Sequence, residues 1–556
     1  MKHAQHLILL LSFFIFLIPN RLAAQVVFEH VSNTTIYEFL DEAANLGYIE
    51  LNSAIKPYSR MFIYEKLKEV EEERGVLNKR QVGELDFFMR EYIKESRTGT
   101  KQLDFLGKGL KAKKVFPYKA RNKRYDLFFY SDTNFTLSIN PVFGGQGWYN
   151  SNGANYHRFW GAELSGYVWK FGFYGNYRDN AELKYLSDPD FLTHRGGAFT
   201  KGKVGGARDF SETRGGLTIS YKGVTLGVVK DHVIWGNNYH GSNIHGGRNP
   251  SFPMVFLQIK PVKWFEVNYF HGWLSSEVID SVASSTFPTG RIDHFVSKFV
   301  AANMYTFRPF KKFYFSVGNS VVYANKPNPA FFIPFLFYKS FDHSNERNTN
   351  AQFFIDISSR NIPKNHLSFT MFVDELSFAR ITDKDRHSNW WSLKGSWRYS
   401  NFLPNFFFTA EYTYTAPMVY KHFIPTTTYE NAGYNMGHYL RDNSQEIYLV
   451  LEWRPIARLR VALDYTFASK GEDNPDDRLT QNPVTGVSVS LGRSFQDNVI
   501  WSKHQVGCSV NYEIINGVST SLEYVYANLR DDTMIYTSPY FTNAPHNISM
   551  SLKIGL

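Results

Sequence analysis

The segment from Lys230 to Pro253 holds the densest group of side chains in this sequence that could recognise a ligand. Its aromatic rings can stack on sugar rings, and its Asn, Asp, His and Arg side chains can share hydrogen bonds with hydroxyls and carboxylates. The candidate ligand-binding residues are Lys230, Asp231, His232, Trp235, Asn238, Tyr239, His240 and Arg248. These residue types in one glycine-rich segment predict a lectin-like site for a polysaccharide.

The charge around this segment favours an acidic glycan. Between Phe191 and Pro250 there are eight lysines and arginines and three acids, a local excess of five positive charges. The whole chain carries a formal net charge of +10, which suits acidic partners such as anionic polysaccharide or lipopolysaccharide phosphates. A second interpretation stays open here, in which the glycines form turns, the aromatic residues sit at a membrane interface and the charges are solvated. The sequence alone does not tell whether these side chains converge.

Motifs for catalysis and metal binding are weak. The sequence contains neither H-E-x-x-H nor G-x-S-x-G, and so lacks the zinc-protease and nucleophile-elbow patterns. His240 and His245 are five apart in a glycine-rich loop, which is a poor metal spacing without a third ligand. Cys508 is the only cysteine, which excludes an intramolecular disulfide and a thiolate cluster. We expect a binding protein without enzymatic activity, metal or cofactor.

Strands with alternating faces must position this segment. The chain ends on Ile548, Met550, Leu552, Ile554 and Leu556, which are separated by polar residues or glycine. Because successive side chains of a strand point to opposite faces, one face of this strand is apolar and the other polar. A final strand of this kind is typical of an outer-membrane barrel, and a soluble sandwich could also end in this way. In a barrel, we expect the apolar face toward lipid and the polar face toward the lumen.

The connections decide between these two folds. From residue 125 onward, eight short turns alternate with nine long polar loops, the first of them near 141–156, which gives 18 strands. Three turns share a basic residue followed by proline, and a fourth carries the Asn-Gly hairpin signal: Lys260-Pro261, Arg308-Pro309, Arg454-Pro455 and Asn516-Gly517. Short periplasmic turns and long extracellular loops mark outer-membrane barrels, and an aromatic content of 17% suits their interfacial girdles. The sequence predicts an all-β transmembrane barrel of about 18 antiparallel strands in the bacterial outer membrane.

The chain divides into three predicted parts. Residues 1–24 combine a basic start, an apolar run and the small residues Ala23 and Ala24, as in a signal peptide. Residues 25–124 contain a small periplasmic α-helical bundle followed by a basic linker, and residues 125–556 form the barrel. Three caps are predicted for the helices: Thr35-x-x-Glu38, Ser59 and Asn78-x-x-Gln81. A bundle of roughly 60 residues is marginal by itself, so we expect it to lean on the barrel.

The sequence also resembles the capsule assembly Wzi family. The resemblance rests on Trp235-Gly236-x-x-Tyr239-x-Gly241-Ser242, which ends in Pro250-Ser251-Phe252-Pro253-Met254. The stretches 37–47 and 55–60 are similar to the versions common in Bacteroidota. The resemblance implies an outer-membrane barrel with a periplasmic helical bundle and a lectin-like role in attaching capsular polysaccharide to the cell surface. It assigns no individual ligand residues, and some members in gliding Bacteroidota are linked to motility or surface-protein functions.

The expected partners follow from these inferences. They are capsular or another acidic polysaccharide, outer-membrane lipid or lipopolysaccharide, and a periplasmic protein. Export makes nucleic acid an unsuitable partner. The alternative functions are those of a porin or transporter, which would need an open lumen, and of an accessory protein for gliding motility or surface secretion.

Overall fold

The structure is a computed structural model that describes residues 26–96, 102–105, 126–183, 186–199, 202–204, 207–288, 290–342, 348–383, 389–473 and 493–555. The predicted signal peptide and the basic residues of the linker, 108–124, lie outside the described residues, so both stay predictions.

A closed antiparallel barrel of 18 long strands dominates the described part of the chain, as predicted. The strands are β1 Phe135–Asn150, β2 Gly153–Val168, β3 Phe171–Leu183, β4 Ala207–Tyr221, β5 Val224–Asp231, β6 Phe252–Val262, β7 Phe265–Ile279, β8 Phe295–Phe310, β9 Phe313–Ala324, β10 Thr349–Ser359, β11 Asn365–Glu375, β12 Trp390–Ser400, β13 Phe406–Thr415, β14 Ser444–Trp453, β15 Leu459–Gly471, β16 Val499–Ile515, β17 Val518–Asp531 and β18 His546–Ile554. Short strands outside this set are Ile55–Lys56, Gln102–Phe105, Phe128–Ser131, Gly202–Val204, Ile234–Trp235, Ser285–Phe287, Gly290–Ile292, Glu430–Asn431 and Tyr434–Asn435.

The last strand closes the barrel on the first. β18 pairs antiparallel with β1 from Ile548 opposite Tyr149 to Ile554 opposite Phe143. Along β18, Ile548, Met550 and Leu552 are exposed on the outside. Asn547, Ser549 and Ser551 are buried on the inside. The predicted division of this strand into a lipid face and a lumen face is confirmed for the described residues.

Short turns occupy one end of the barrel. They lie at 169–170, 222–223, 263–264, 311–312, 360–364, 401–405, 454–458 and 516–517, as expected for the periplasmic side. Pro261 and Pro309 lie in the last residues of β6 and β8, where the strand register shifts against the neighbour. A proline is tolerated there because a bulge interrupts the hydrogen-bond ladder, so the absence of an N–H on proline costs no strand hydrogen bond. Gly517 adopts φ +75° in the predicted Asn-Gly hairpin.

One predicted loop is wrong. Residues 141–156 belong to β1 and β2, which pair up to Asn150 opposite Gly153 and leave a turn of two residues. The glycines in this stretch serve close strand packing. A Cβ on Gly144 would collide with the carbonyl oxygen of Leu552 on the neighbouring strand. The other eight connections at this end of the barrel are longer, as predicted for the extracellular side.

Three α-helices precede the barrel in the part of the chain that the structure describes. They are α1 Thr34–Leu46, α2 Arg60–Glu72 and α3 Lys79–Tyr92. Ser59 caps α2 by accepting a hydrogen bond from the Phe62 N–H, and Asn78 and Gln81 form the predicted capping box. No helix in the described residues is both long enough and apolar enough to cross a membrane.

The capping box predicted at Thr35 does not form. Helix α1 begins at Thr34, and its N-cap Asn33 makes no capping hydrogen bond with its side chain. Asn33 instead donates to the Glu29 carboxylate at 3.0 Å. The Glu38 carboxylate, which the box needed, accepts hydrogen bonds from Arg454 and Arg460 of the barrel. Docking to the barrel therefore overrides the local signal.

The helical bundle closes the end of the barrel that carries the short turns. Its own apolar core includes Ile36, Leu40, Ile63, Leu67 and Leu85. Its outer side is held by barrel side chains from several turns. Arg454 has a fully buried side chain and pairs with Glu42 at 3.2 Å, and Asn405 accepts from Arg80 at 2.8 Å. The expectation that the bundle leans on the barrel is met by these polar contacts.

A second segment covers part of the outside of the wall. Residues 325–342, which we call the outer flap, include α4 Lys339–Asp342. Phe331 and Tyr338 of the flap pack on Phe299 of β8 and on Val321 and Tyr323 of β9. These strand residues alternate with Val300 and Val322, which belong to the cluster inside the lumen, and so they face outward. Asn303 donates to two flap carbonyls, of Pro334 at 3.0 Å and Leu336 at 2.9 Å.

Candidate functional site

The candidate segment turns into the lumen rather than out into solvent. Residues 232–251 connect β5 to β6, and we call them the inner loop. Ile234 and Trp235 pair antiparallel with Lys56 and Ile55 of the segment between α1 and α2. Gly236 then reverses the chain at φ +108°, a conformation that favours glycine. The inner loop and the helical region thus meet inside the barrel and fill it from both ends.

Trp235 packs within the lumen. Its side chain is 3% exposed, and its ring makes edge contacts with Phe270 at 5.1 Å and Phe354 at 6.1 Å. His245 lies against the same indole at 5.3 Å, and burial lowers the pKa of this histidine to about 3. This part of the inner loop therefore forms an apolar core with side chains on the inner face of the barrel wall.

Tyr239 joins the inner loop to helix α1. Its hydroxyl donates to the Asp41 carboxylate at 2.8 Å and lies 2.5 Å from Nδ1 of His366. Arg360 donates to the other Asp41 oxygen at 2.6 Å. Burial alone would raise the pKa of the Asp41 carboxyl, but Arg360, His366 and Arg398 outweigh burial and hold that pKa well below its usual range. The predicted site residue Tyr239 is therefore part of the junction that closes the lumen.

The residues at the start of the inner loop are also engaged. Lys230 donates to the Thr213 carbonyl at 2.6 Å and to Ser251 at 2.8 Å. Asp231 accepts from Arg214 at 2.7 Å and from the Tyr174 hydroxyl at 2.7 Å. His232 lies 3.4 Å from His30, nitrogen to nitrogen.

The remaining candidates occupy the outer half of the lumen. The His240 ring stacks on Tyr448 at 3.8 Å, and its backbone N–H donates to Glu411 at 2.8 Å. Arg248 is buried and donates to the Phe191 carbonyl at 2.5 Å. Asn238 bonds locally to the Gly236 carbonyl at 2.8 Å. The eight predicted residues thus do not line one common cavity, and their role in ligand binding stays a prediction.

The inner loop and the helical bundle together fill the lumen, and we call them the plug. A polar cavity of about 710 Å³ lies between the plug and the barrel wall. Of the eight candidates it is lined by His232 alone. The rest of its lining comes from β1 to β4, β14 to β18, the loop after β3 and the helical region. Several of its lining side chains have an atom without a hydrogen-bond partner among the described residues, and three of these belong to neighbouring residues at its outer end: Nε of Arg178, Oε2 of Glu182 and Nε of Arg195. Buried polar groups are rarely left unpaired, so these atoms indicate a place where a polar ligand can bind.

Sequence reasoning did not identify this group as a site. Arg195 was counted in the basic stretch around the inner loop, but Arg178 and Glu182 lie in β3 and carry no motif. The Arg195 guanidinium lies over the Trp148 ring of β1 at 5.1 Å. β1 and β3 lie on either side of β2, and the contact depends on how the loop after β3 folds back toward β1, for which residue spacing held no signal.

The fold defines the class of this protein. A closed barrel with exposed apolar residues outside and a polar interior is an outer-membrane architecture. Exposed Trp169 and Trp264 lie beside short turns, and exposed Tyr149 and Tyr526 lie toward the other end, as in interfacial girdles. The protein is a bacterial outer-membrane β-barrel with a filled lumen.

Solved structures give the more particular likeness. Wzi, an outer-membrane protein involved in group 1 capsule assembly in Escherichia coli and described as a carbohydrate-binding β-barrel, has a TM-score of 0.54 at 10% identity, covering 96% of this chain and 100% of that chain. Pseudomonas aeruginosa OccD3 (OpdP) has a TM-score of 0.42 at 9% identity, covering 75% and 90%. Acinetobacter baumannii OccAB2 has a TM-score of 0.40 at 8% identity, covering 76% and 97%. No protein-family model and no curated sequence matches the chain. The Wzi-like fold implied by the sequence resemblance is confirmed.

Proposed function

We propose that this protein binds a surface polysaccharide, capsular or similarly acidic, at the outer part of the lumen and supports its attachment or assembly at the cell surface. The observation that carries the proposal is the polar cavity with the unpaired atoms of Arg178, Glu182 and Arg195. A sugar offers both donors and acceptors through its hydroxyls, and a uronate-type carboxylate suits an arginine fork.

The geometry around Arg195 fits a glycan end. His194 and Gly196 beside it are exposed, so a chain can approach from the outer side. The Trp148 ring lies under the guanidinium and so holds Arg195 in place. The lining residues His157 and Asn180 add further polar groups at the same end of the cavity.

The filled lumen favours a protein that binds polysaccharide over one that transports solutes through an open channel. The inner loop and the helical bundle meet at Asp41 and Tyr239 inside the barrel, which removes the wide aqueous channel of a porin. The likeness to Wzi, described as carbohydrate-binding and involved in capsule assembly, supports the same role. We propose binding without catalysis, with membrane lipid around the wall and a periplasmic partner at the exposed side of the helical bundle.

A binding experiment tests the cavity. Arg195→Gln removes the charge and leaves an amide that can still donate to Glu182. A hydrogen bond to a charged group contributes about 1.5–3 kcal/mol, so the Kd of an acidic polysaccharide should rise roughly 10- to 150-fold. Arg530→Gln is the matched control, because Arg530 is exposed and pairs with Asp532 outside the cavity. Equal affinity of both variants and wild type would remove Arg195 from the site.

A cell experiment tests the role. Deleting the gene should raise the ratio of released to cell-bound polysaccharide while synthesis continues, and expression of the wild type should restore it. Normal retention of polysaccharide in the deletion strain would contradict the proposal, whatever the purified protein binds.

A narrow conduit is the second candidate. The cavity lining extends from Arg195 to Asn516 and Gly517 at the periplasmic end, which favours passage of small solutes along the wall. Conductance in planar bilayers discriminates the two functions. A silent protein supports holding, and steady single-channel currents support a conduit.

A further inference from the structure

Three extracellular connections bring histidines to one carboxylate inside the outer half of the barrel. His194 follows β3, His240 belongs to the inner loop, His438 precedes β14, and Glu446 lies in β14. We call these four residues the histidine cluster. Single ligand atoms of His194, His240 and Glu446 all lie within 4.8 Å of one another. His438 joins them from the other side, with its Nε2 3.6 Å from Oε2 of Glu446.

The cluster contains buried groups whose bonding capacity is unused. His438 has a fully buried side chain, and neither of its ring nitrogens has a hydrogen-bond partner among the described residues. Glu446 is 1% exposed. Its Oε1 lies 3.2 Å from Nε2 of His240 and its Oε2 lies 3.6 Å from Nε2 of His438, and neither oxygen has a well-aligned hydrogen bond to these rings. Such groups are costly to bury, and a cation between them would satisfy both kinds at once.

We propose that the histidine cluster is a binding site for a divalent transition metal of the Zn²⁺ class, with His194, His240 and Glu446 as three ligands and His438, which lies beside Glu446, as the fourth. Imidazole and carboxylate are the ligands that Zn²⁺ takes besides thiolate. With bonds of about 2.0–2.1 Å, tetrahedral ligand atoms lie about 3.3 Å apart. The distance from Nε2 of His240 to Oε1 of Glu446 is 3.2 Å, close to this value.

The backbone around the cluster leaves room for the rings. Gly241 adopts φ +77°, and a Cβ there would lie 3.3 Å from the His194 ring and 3.6 Å from the His438 ring. Exposure of His194 gives a metal ion access from outside. The metal would fasten three extracellular connections to β14 and so close the outer end of the lumen, independently of what the protein binds elsewhere.

Two lysines set the electrostatic cost of the site. Lys394 pairs with Glu411 at 2.9 Å, which offsets its charge. The positive charge of Lys503 in β16 lies close enough to influence His194, His240 and Glu446, and it would oppose a cation there. Lys503 has no such carboxylate pair among the described contacts. Replacing Lys503 by methionine should therefore strengthen metal binding.

A second group of histidines serves as an internal control. His30, Asp231 and His232 also place ligand atoms within 4.8 Å of one another. Asp231 is already paired with Arg214, whose guanidinium would repel a cation. The two groups have similar composition and differ in whether the carboxylate is free to take a metal.

Metal titration of the full-length protein tests the site. The protein is purified in detergent with a tag that contains no histidine, stripped with chelator, and titrated with Co²⁺ and then with Zn²⁺ in competition. We expect one equivalent of Co²⁺ with the visible bands of tetrahedral coordination, displaced by Zn²⁺. His438→Ala and Glu446→Gln should each weaken binding by at least the ~100-fold that even an indirect partner of a ligand can contribute. Lys503→Met should strengthen it, and His30→Ala with His232→Ala should leave it unchanged.

The design separates misfolding from loss of the site. Heat-dependent gel mobility reports whether each variant forms a barrel, and Glu446→Gln keeps the shape of the side chain. The proposal is overturned if the wild type binds no equivalent, if Glu446→Gln binds as tightly as wild type, or if the His30 and His232 variant loses the binding instead.

Discussion

Arg360 is the residue on which docking of the helical bundle depends most directly. It lies in the short turn between β10 and β11, and its side chain is 2% exposed. Its guanidinium donates to Asp41 at 2.6 Å, to Asn45 at 2.7 Å and to Ser53 at 2.9 Å. One barrel side chain therefore holds both α1 and the segment that follows it.

Arg360→Met should release α1 from the barrel wall. The substitution leaves the buried Asp41 carboxylate without its closest cation, and breaking a buried pair in this way costs about 3–5 kcal/mol. If that cost falls on docking, the population of undocked α1 rises roughly 100- to 4,000-fold. Asp41→Asn in the same chain removes the stranded charge, so the double variant should dock better than Arg360→Met alone.

Hydrogen exchange measures this directly. Amides of residues 34–46 should exchange faster in Arg360→Met by a factor in that range, while the amides of β10 and β11 stay protected. Arg74→Met is the matched control, since Arg74 pairs with Glu71 and Asp86 within the bundle and is partly exposed, which makes its pairs worth about 0–1 kcal/mol. Equal exchange in the two variants, or a double variant worse than Arg360→Met, would refute the reasoning.

Three further predictions concern the plug and the flap. Trp235→Ala should lower local stability by about 3–5 kcal/mol, seen as faster exchange of the inner loop, whereas Trp169→Ala, at an exposed indole, should change nothing there. Asn303→Leu should loosen the outer flap, because it removes the donor to the Pro334 and Leu336 carbonyls; a spin label on Phe335→Cys in a Cys508→Ser background would report increased motion, and an unchanged spectrum would count against it. The pKa of Asp41 is held low in the folded protein, so its contribution to docking is complete above the ordinary aspartate pKa of about 4 and is lost as the pH falls below it. After correction for the intrinsic exchange rate at each pH, the protection factors of the α1 amides should fall on acidification in the wild type but much less in Asp41→Asn.

Periodicity carried most of the fold. The alternation from Asn547 to Ile554 gave the faces of β18 correctly, because a wall between lipid and a polar lumen demands that pattern at every residue. The basic-proline motifs marked short turns for a different reason, because proline restricts φ wherever it stands. The error at 141–156 came from taking this stretch for a long polar loop, whereas Gly144 makes room for a neighbouring strand that follows some 400 residues later in the chain.

The candidate site was harder to predict from the sequence, because its contacts form only when distant parts of the chain meet inside the closed barrel. Trp235 and Tyr239 have the residue types of a sugar platform, and nothing in their spacing says that the loop turns inward. Their partners, Phe354 and Asp41, lie on either side of them in sequence at distances over which no local pattern operates. The same limit hid Glu446 and His438 from a search based on the spacing of His240 and His245.

The polar lining of the lumen explains why the inner loop inside a membrane barrel is itself polar and charged. Apart from the apolar cluster around Trp235, much of the inner face of the barrel is polar, and those polar groups need either water or protein partners. Here Asp356 of β10 accepts from Asn237 of the inner loop, Glu411 of β13 accepts from the backbone of Tyr239, and Arg454 meets Glu42 of α1. The wall and the plug therefore specify each other through paired polar groups, and unpaired atoms at Arg195 and His438 mark two places where a ligand or an ion can supply the missing partner.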